Sequence, residues 1–244
     1  MSSPPVAPPV AAERAVTKPK GGFHWEHMLG VIGALLFVAA QGLALFWSPA
    51  DQHMGEVSRI LHVHVPAAWG AMVAFTVGFV AAAGFLFTGR RGFDWVSEGS
   101  VEVGVVLSGL MLVLGSMFGR RTWGVWWSWD PRLTASAVMM LTFVGVVMLR
   151  QVVEDSDKRA LWSTVSTVLA FVNIPVTYMS VRWWRSLHQV QSTTNSMSGD
   201  IAWVLRLNAL AFLFLSVWMI VRRYRIAHHR AWAEAPDALP GVPS

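Results

Sequence analysis

Residues 97–134 read SEGSVEVGVVLSGLMLVLGSMFGRRTWGVWWSWDPRLT. The first part, 97–118, is apolar over the roughly 20 residues that a helix needs to cross the hydrocarbon core of a bilayer. The second part, 119–134, gathers Trp123, Trp126, Trp127 and Trp129 and ends in Asp130-Pro131-Arg132-Leu133-Thr134. Working outward, five further stretches are of the same apolar kind: 28–47, 64–87, 132–149, 161–181 and 201–221. Glycine recurs within the spans, as it does where helices approach closely in a membrane. Ser163, Thr164, Ser166 and Thr167 give the fifth a face that can hydrogen-bond a neighbour. The expected fold is all-α, a polytopic membrane protein with six transmembrane helices.

Composition agrees. Of 244 residues 54% are apolar and 14% charged, with a mean hydropathy of +0.47. Soluble domains carry about 25% charged residues, and a chain this poor in charge could not clothe a water-facing surface. Cysteine is absent, which excludes disulfides, thiolate metal sites, cysteine nucleophiles and iron–sulfur clusters. The net charge of +5 points to basic loops on one membrane face and not to nucleic-acid binding. No Walker loop, GxGxxG or long repeat is present.

Six spans put both termini on one side. That side carries Arg14, Lys18, Lys20, Arg90, Arg91, Arg150, Lys158, Arg159, Arg222, Arg223, Arg225 and Arg230. The other carries Arg59, Arg120, Arg121, Arg132, Arg182 and Arg185. Twelve against six makes both termini cytoplasmic by the positive-inside rule, and the 119–134 loop outer. Residues 1–22, rich in Pro and Ala, read as a disordered cytoplasmic tail, 23–224 as the membrane domain and 225–244 as a second cytoplasmic tail. The first span, with no compact cleavable segment before it, reads as an uncleaved anchor.

On a helix, Trp123, Trp126, Trp127 and Asp130 would fall at i, i+3, i+4 and i+7, on one face, with Trp129 pointing elsewhere. Asp130 suits an N-cap and Pro131 the first helical position of the next span. Indoles scattered over several helix ends form an anchoring belt; four within seven residues read as a binding platform for a flat aromatic ligand.

The other outer loops each bring histidine beside Trp and Arg. One reads Arg59-Ile-Leu-His62-Val-His64-Val-Pro66-Ala-Ala-Trp69, the other Arg182-Trp-Trp-Arg185-Ser-Leu-His188-Gln189. Imidazole is an axial ligand of haem iron and the Arg fork suits carboxylates such as propionates, so the sum is a haem site at the outer face. His62 and His64, two residues apart, cannot point the same way on a helix, and His64, pinned beside Val-Pro, is the ligand candidate. His53 reads as solvated, and His24, His27, His228 and His229 lie at the wrong face. Glu98 and Glu102 are expected to snorkel or to pair with Arg90 or Arg91. Arg206, inside the sixth span, is expected to have a partner: a propionate, a carboxylate of another helix or a lipid headgroup.

Trp123-Gly-x-Trp126-Trp127-x-Trp129-Asp130-x-Arg132-Leu-Thr134 resembles the tryptophan-rich signature of haem-handling proteins of cytochrome c assembly. Six spans, His-Val-Pro before the second and Trp-Trp-x-x-Leu-His-Gln before the sixth resemble, within that superfamily, haem exporter protein C (CcmC) from about Phe23 to Tyr224. The resemblance implies a bacterial inner-membrane protein, not an enzyme, that binds haem b with His64 and His188 as axial ligands. It implies that Trp123, Trp126, Trp127, Trp129 and Asp130 form the platform and docking edge. Arg59, Arg132, Arg182 and Arg185 become propionate candidates. The implied partners are a periplasmic haem chaperone (CcmE-like), a small single-span subunit (CcmD-like), ATP-binding cassette transporter subunits (CcmA/CcmB-like) and membrane lipid. The alternatives are a membrane haem lyase, whose relatives are longer and carry extra membrane histidines, and an electron-transfer cytochrome b, whose histidines usually lie at mid-membrane depth.

Overall fold

The computed structural model describes residues 25–52, 54–188 and 198–234. The tail 1–22, His24, His53, Gln189 and residues 235–244 lie outside the described residues. Among those described, regular structure is helical apart from an isolated bridge between Asp51 and Gly55. The helices are α1 (Glu26–Phe46), α2 (Leu61–Thr88), α3 (Arg91–Thr122), α4 (Pro131–Val152), α5 (Ser156–Ala170), α6 (Asn173–Trp183) and α7 (Gly199–Ala233), with a 3-10 turn (Glu56–Ile60) leading into α2. They make six candidate spans, α5 and α6 together forming the fifth.

The side chains are sorted for a lipid solvent. Between helices sit small residues, Ala40, Ala44, Ala67, Ala71, Ala74 and Ala82, all essentially buried. Outside stand large apolar ones, with Phe46 90% and Phe87 89% exposed. Water would invert this arrangement; in a bilayer the outer face gains nothing by hiding, and close backbone approach holds the helices together. α2 runs along α3 and α1 along α7. The central layer is knit by Phe75 of α2 stacked on Phe143 of α4, ring centroids 3.7 Å apart.

Three features depart from the sequence reading, and a fourth, the expected partner of Arg206, is narrowed to a group outside the described protein. The fifth span is not one helix: α5 stops at Ala170 and α6 restarts at Asn173. Pro175 is the cause, since it has no N–H for the carbonyl of Phe171 and its ring crowds that carbonyl. Ile174 N–H bonds Phe171 O instead, at 3.0 Å. The last helix continues to Ala233, so residues 225–233 of the expected tail are helical.

Glu98 and Glu102 pair with neither Arg90 nor Arg91. Arg150 of α4 reaches into α3, bonding Asp94 at 2.7 Å and Glu98 at 2.9 Å, and also Ser163 of α5 at 2.6 Å. Glu98 further meets Arg230 at 3.1 Å, Glu102 bonds Arg223, and Arg91 bonds Asp157. The pairs run between helices because the i, i+4 carboxylates of α3 face the ends of α4 and α7. Arg206 stands on the exposed face of α7 with no hydrogen bond or ion pair among the described residues. The polar contact nearby in sequence belongs to Asn208, which accepts from Gln41 of α1 at 2.5 Å.

Candidate haem-binding site

The pairing of α2 with α3 delivers His64. Its Nδ1 lies 2.9 Å from the backbone O of Met111, one residue of α3 that has no side-chain part in the contact. A carbonyl only accepts, so Nδ1 carries the hydrogen and Nε2 is left with a bare lone pair. This is how a ligating histidine is usually oriented and its basicity raised. The ring lies against Gly115: a Cβ there would stand 3.0 Å from Cε1 and 3.5 Å from Nδ1 of His64. Only glycine leaves that seat open. His188 and Arg132 lie near enough to bear on the charge of His64.

His62 diverges as the spacing requires. It is 3% exposed, its Nδ1 has no hydrogen-bond partner, and the charge that bears on it is Arg59. The backbone around both histidines is held from one side by the buried Pro66 and from the other by the 3-10 turn.

The tryptophan-rich segment is not the expected helix. α3 ends at Thr122, Gly124 takes φ +79°, and the chain is non-helical until Pro131. Asp130 itself is extended (φ −62°, ψ 141°), as a residue before proline prefers. The stripe of Trp123, Trp126, Trp127 and Asp130 on one helical face therefore does not exist. The loop is instead folded back over α3: Arg120 bonds the carbonyl of Gly124, and Ser116 Oγ donates to Trp126 O at 2.7 Å. Ser116 follows Gly115, so the backbone of Trp126 comes down at the level of the His64 seat. Trp123 turns inward, edge-on to Phe118 with centroids 6.2 Å apart. Trp126, Trp127 and Trp129 face out, Trp129 most of all at 82%, with Trp127 and Trp129 perpendicular at 6.0 Å. Three indoles, not four, form the open surface.

Asp130 is buried, which a docking edge would not be. It caps α4 as the sequence suggested, accepting from the N–H of Arg132 at 2.9 Å and of Leu133 at 3.4 Å. It also accepts from Ser186 Oγ at 2.9 Å and from Leu187 N–H at 2.6 Å, in the segment after α6. Ser186 Oγ in turn accepts the His188 N–H at 3.0 Å.

The four arginines separate. Arg132 is half-buried and its guanidinium donates to Thr177 O of α6, on the side of His64. Arg59 is committed to the end of α1, bonding Ala44 O and, at 3.1 Å, Ser48 O, and to Glu56 at 2.5 Å. Arg182 and Arg185 are exposed, flanking Trp183 and Trp184, whose rings meet at 84°. Met111, Gly115, Ser116 and Ser186 escaped the sequence reading. Gly115 was visible only as one more span glycine, and a backbone carbonyl such as that of Met111 leaves no trace in residue type.

The donor set fits a macrocycle better than a bare ion. Among the described residues no three of His, Cys, Asp and Glu come together to hold a metal, whereas structural and catalytic zinc sites use three or four protein ligands. Imidazole nitrogen beside indoles and a guanidinium suits iron that brings its own four equatorial nitrogens.

The family model described as "Heme exporter protein C" matches residues 17–236. Curated proteins of that name are similar along most of the chain. The one from Escherichia coli (strain K12) is 34% identical over 181 residues, 73% of this chain and 74% of its own. That of Bradyrhizobium diazoefficiens is 31% identical over 189 residues, 75% and 72% of the two chains. That of Haemophilus influenzae is 29% identical over 227 residues, 90% and 92%.

Proposed function

The chain belongs to the haem exporter protein C family, and from that premise we propose that it binds haem b at the outer, periplasmic face of a bacterial inner membrane and presents it to a periplasmic haem chaperone for cytochrome c assembly. The observation that carries the reading is the Nδ1 contact of His64 with Met111 O, which leaves Nε2 free to ligate; His188 bears on the charge of the same ring. His64 and His188 are the axial pair. Arg132 is placed to meet a propionate, and the exposed Arg182 and Arg185 can take the other. Trp126, Trp127 and Trp129 lie against the ring edge and form the surface that the chaperone meets, while Trp123 braces the loop from beneath.

The chain handles haem and does not transform it. Two axial imidazoles would close the coordination positions that oxygen chemistry needs, and the nearby carboxylate and hydroxyl, Asp130 and Ser186, are engaged in holding the backbone of residues 187 and 188. Both termini are cytoplasmic. A small single-span subunit and an ATP-binding cassette pair complete the assembly that loads and releases the chaperone.

Purified protein is expected to show the spectrum of a six-coordinate, low-spin haem b. The double variant His64→Ala/His188→Ala is expected to lose it; retention of the unaltered spectrum would remove both ligands from the proposal.

A further inference from the structure

We propose that Asp130 is the positioning residue for His188: the last residue of the tryptophan signature holds the second axial histidine in place. The inference rests on the ligand reading above and extends it to a residue that touches neither iron nor ring. Trp184, Arg185 and Leu187 are exposed, and the backbone tie Trp184 N–H to Ser180 O reaches only to the start of the segment after α6. Beyond that point a buried carboxylate at the start of α4 anchors residues 186 and 187.

The two carboxylate oxygens divide the work. Oδ1 accepts from Arg132 N–H, Leu133 N–H and Ser186 Oγ; Oδ2 accepts from Leu187 N–H at 2.6 Å. Ser186 spends its one hydroxyl proton on Asp130, so its lone pair is turned toward the His188 N–H. Asp130 thus grips residue 187 directly and residue 188 through one hydroxyl. Hydrogen bonds to a buried carboxylate are stronger than neutral ones, and this one is already oriented by capping α4. Arg132, two residues on, bonds Thr177 O, and Thr177 Oγ1 bonds Ala135 O at 3.2 Å, so the start of α4 and the middle of α6 are tied together at Thr177 before the grip begins. The end of the tryptophan loop, the start of α4 and residues 186–188 are therefore joined through one carboxylate. Haem that displaced the indoles would pull on its own ligand.

The division of labour allows selective variants. Asp130→Asn keeps an oxygen at the Oδ1 position, and with it the α4 cap, but sets an amide N–H against the Leu187 N–H. Ser186→Ala removes only the relay to His188. Two measurements are made on the full-length protein. Amide exchange on the haem-free form is expected to speed up for residues 185–188 by at least about tenfold in Asp130→Asn, the size expected for losing one hydrogen bond to a charged group, with the first turn of α4 unchanged. The haem-loaded Asp130→Asn and Ser186→Ala variants are expected to pass partly to a five-coordinate, high-spin spectrum. Millimolar imidazole is expected to restore the low-spin form in both, as it would in His188→Ala, which a merely unstable protein would not do. Wild-type exchange and wild-type spectra in both variants, with His188→Ala high-spin, would overturn the clamp while sparing the ligand. A His188→Ala spectrum equal to that of the unaltered protein would sink the ligand assignment, and the exchange measurement would then still decide whether Asp130 holds the segment.

Discussion

Gly115→Ala adds a single methyl group to α3 and directs it at the ring of His64. The new Cβ would lie 3.0 Å from Cε1, 3.5 Å from Nδ1 and 4.0 Å from Nε2, where ordinary contact begins near 3.4 Å. The ring must therefore retreat by roughly 0.4 Å, close to the tolerance of about 0.5 Å within which a designed site keeps its geometry. It cannot do so freely, because Nδ1 is tethered to Met111 O at 2.9 Å. A retreat of that size directly away from the carbonyl would stretch the bond just past the normal limit of about 3.2 Å. Overpacking of this kind costs about 1–3 kcal/mol. Replacing a mid-helix glycine by alanine returns about 1 kcal/mol of helix propensity. The fold thus loses at most about 2 kcal/mol, and less where the ring of the haem-free form swings aside; the strain then falls on ligation, which needs the ring back in its seat. Haem affinity is expected to fall by roughly 5- to 150-fold, the equivalent of that 1–3 kcal/mol, with a thermal midpoint within a few degrees of the unaltered protein. Gly109→Ala is the matched control on the same helix, since its Cβ would meet only Met140 Sδ at 4.0 Å. Haem titration, the absorption spectrum and a melt in detergent read all three quantities. If Gly115→Ala binds haem as tightly as Gly109→Ala with the same spectrum, the seat has no bearing on ligation and the reasoning fails.

Three further outcomes are expected. His62→Ala should leave the low-spin spectrum in place, because that ring points into the helix packing near Arg59 and away from His64; loss of the spectrum in His62→Ala alone would exchange the ligand assignment between the two. Trp129→Ala, at the most exposed indole, should weaken chaperone co-purification and hand-over yet keep the axial ligation, whereas equal loading of the chaperone would reduce the indoles to a membrane belt. Arg150→Ala should destabilise the fold by about 3–5 kcal/mol, since it strands Asp94, whose side chain is 4% exposed, and leaves the buried Glu98 with Arg230 alone; a detergent melt should show Arg223→Ala to be much milder, its partner Glu102 being 23% exposed.

Residue type alone carried the spans, because lipid imposes a compositional demand that survives any arrangement of the helices. It also carried the start of α4: Asp130 before Pro131 is a local signal, read within three residues. The candidate histidines stand out in the sequence because His, Trp and Arg are rare neighbours at span ends. Spacing alone predicts a tryptophan helix that the local breakers forbid. Gly124 at φ +79° and the extended residue before Pro131 end the helix whatever face the indoles would share. The unbroken fifth span failed for the same reason, at Pro175.

What the sequence by itself determined is the solvent, the number of crossings and the residues able to ligate iron, since each depends on a side chain's own chemistry or on near neighbours. The tertiary structure alone decided which of those residues are aimed and held. His64 is oriented by a carbonyl 47 residues away, Asp130 grips a segment 57 residues away, and Arg150 finds its carboxylates 52 and 56 residues back. Such contacts depend on how each helix is rotated about its own axis and how closely its neighbours approach. Helices apolar on every side encode that rotation only through packing, where a glycine or a backbone oxygen counts as much as any side chain.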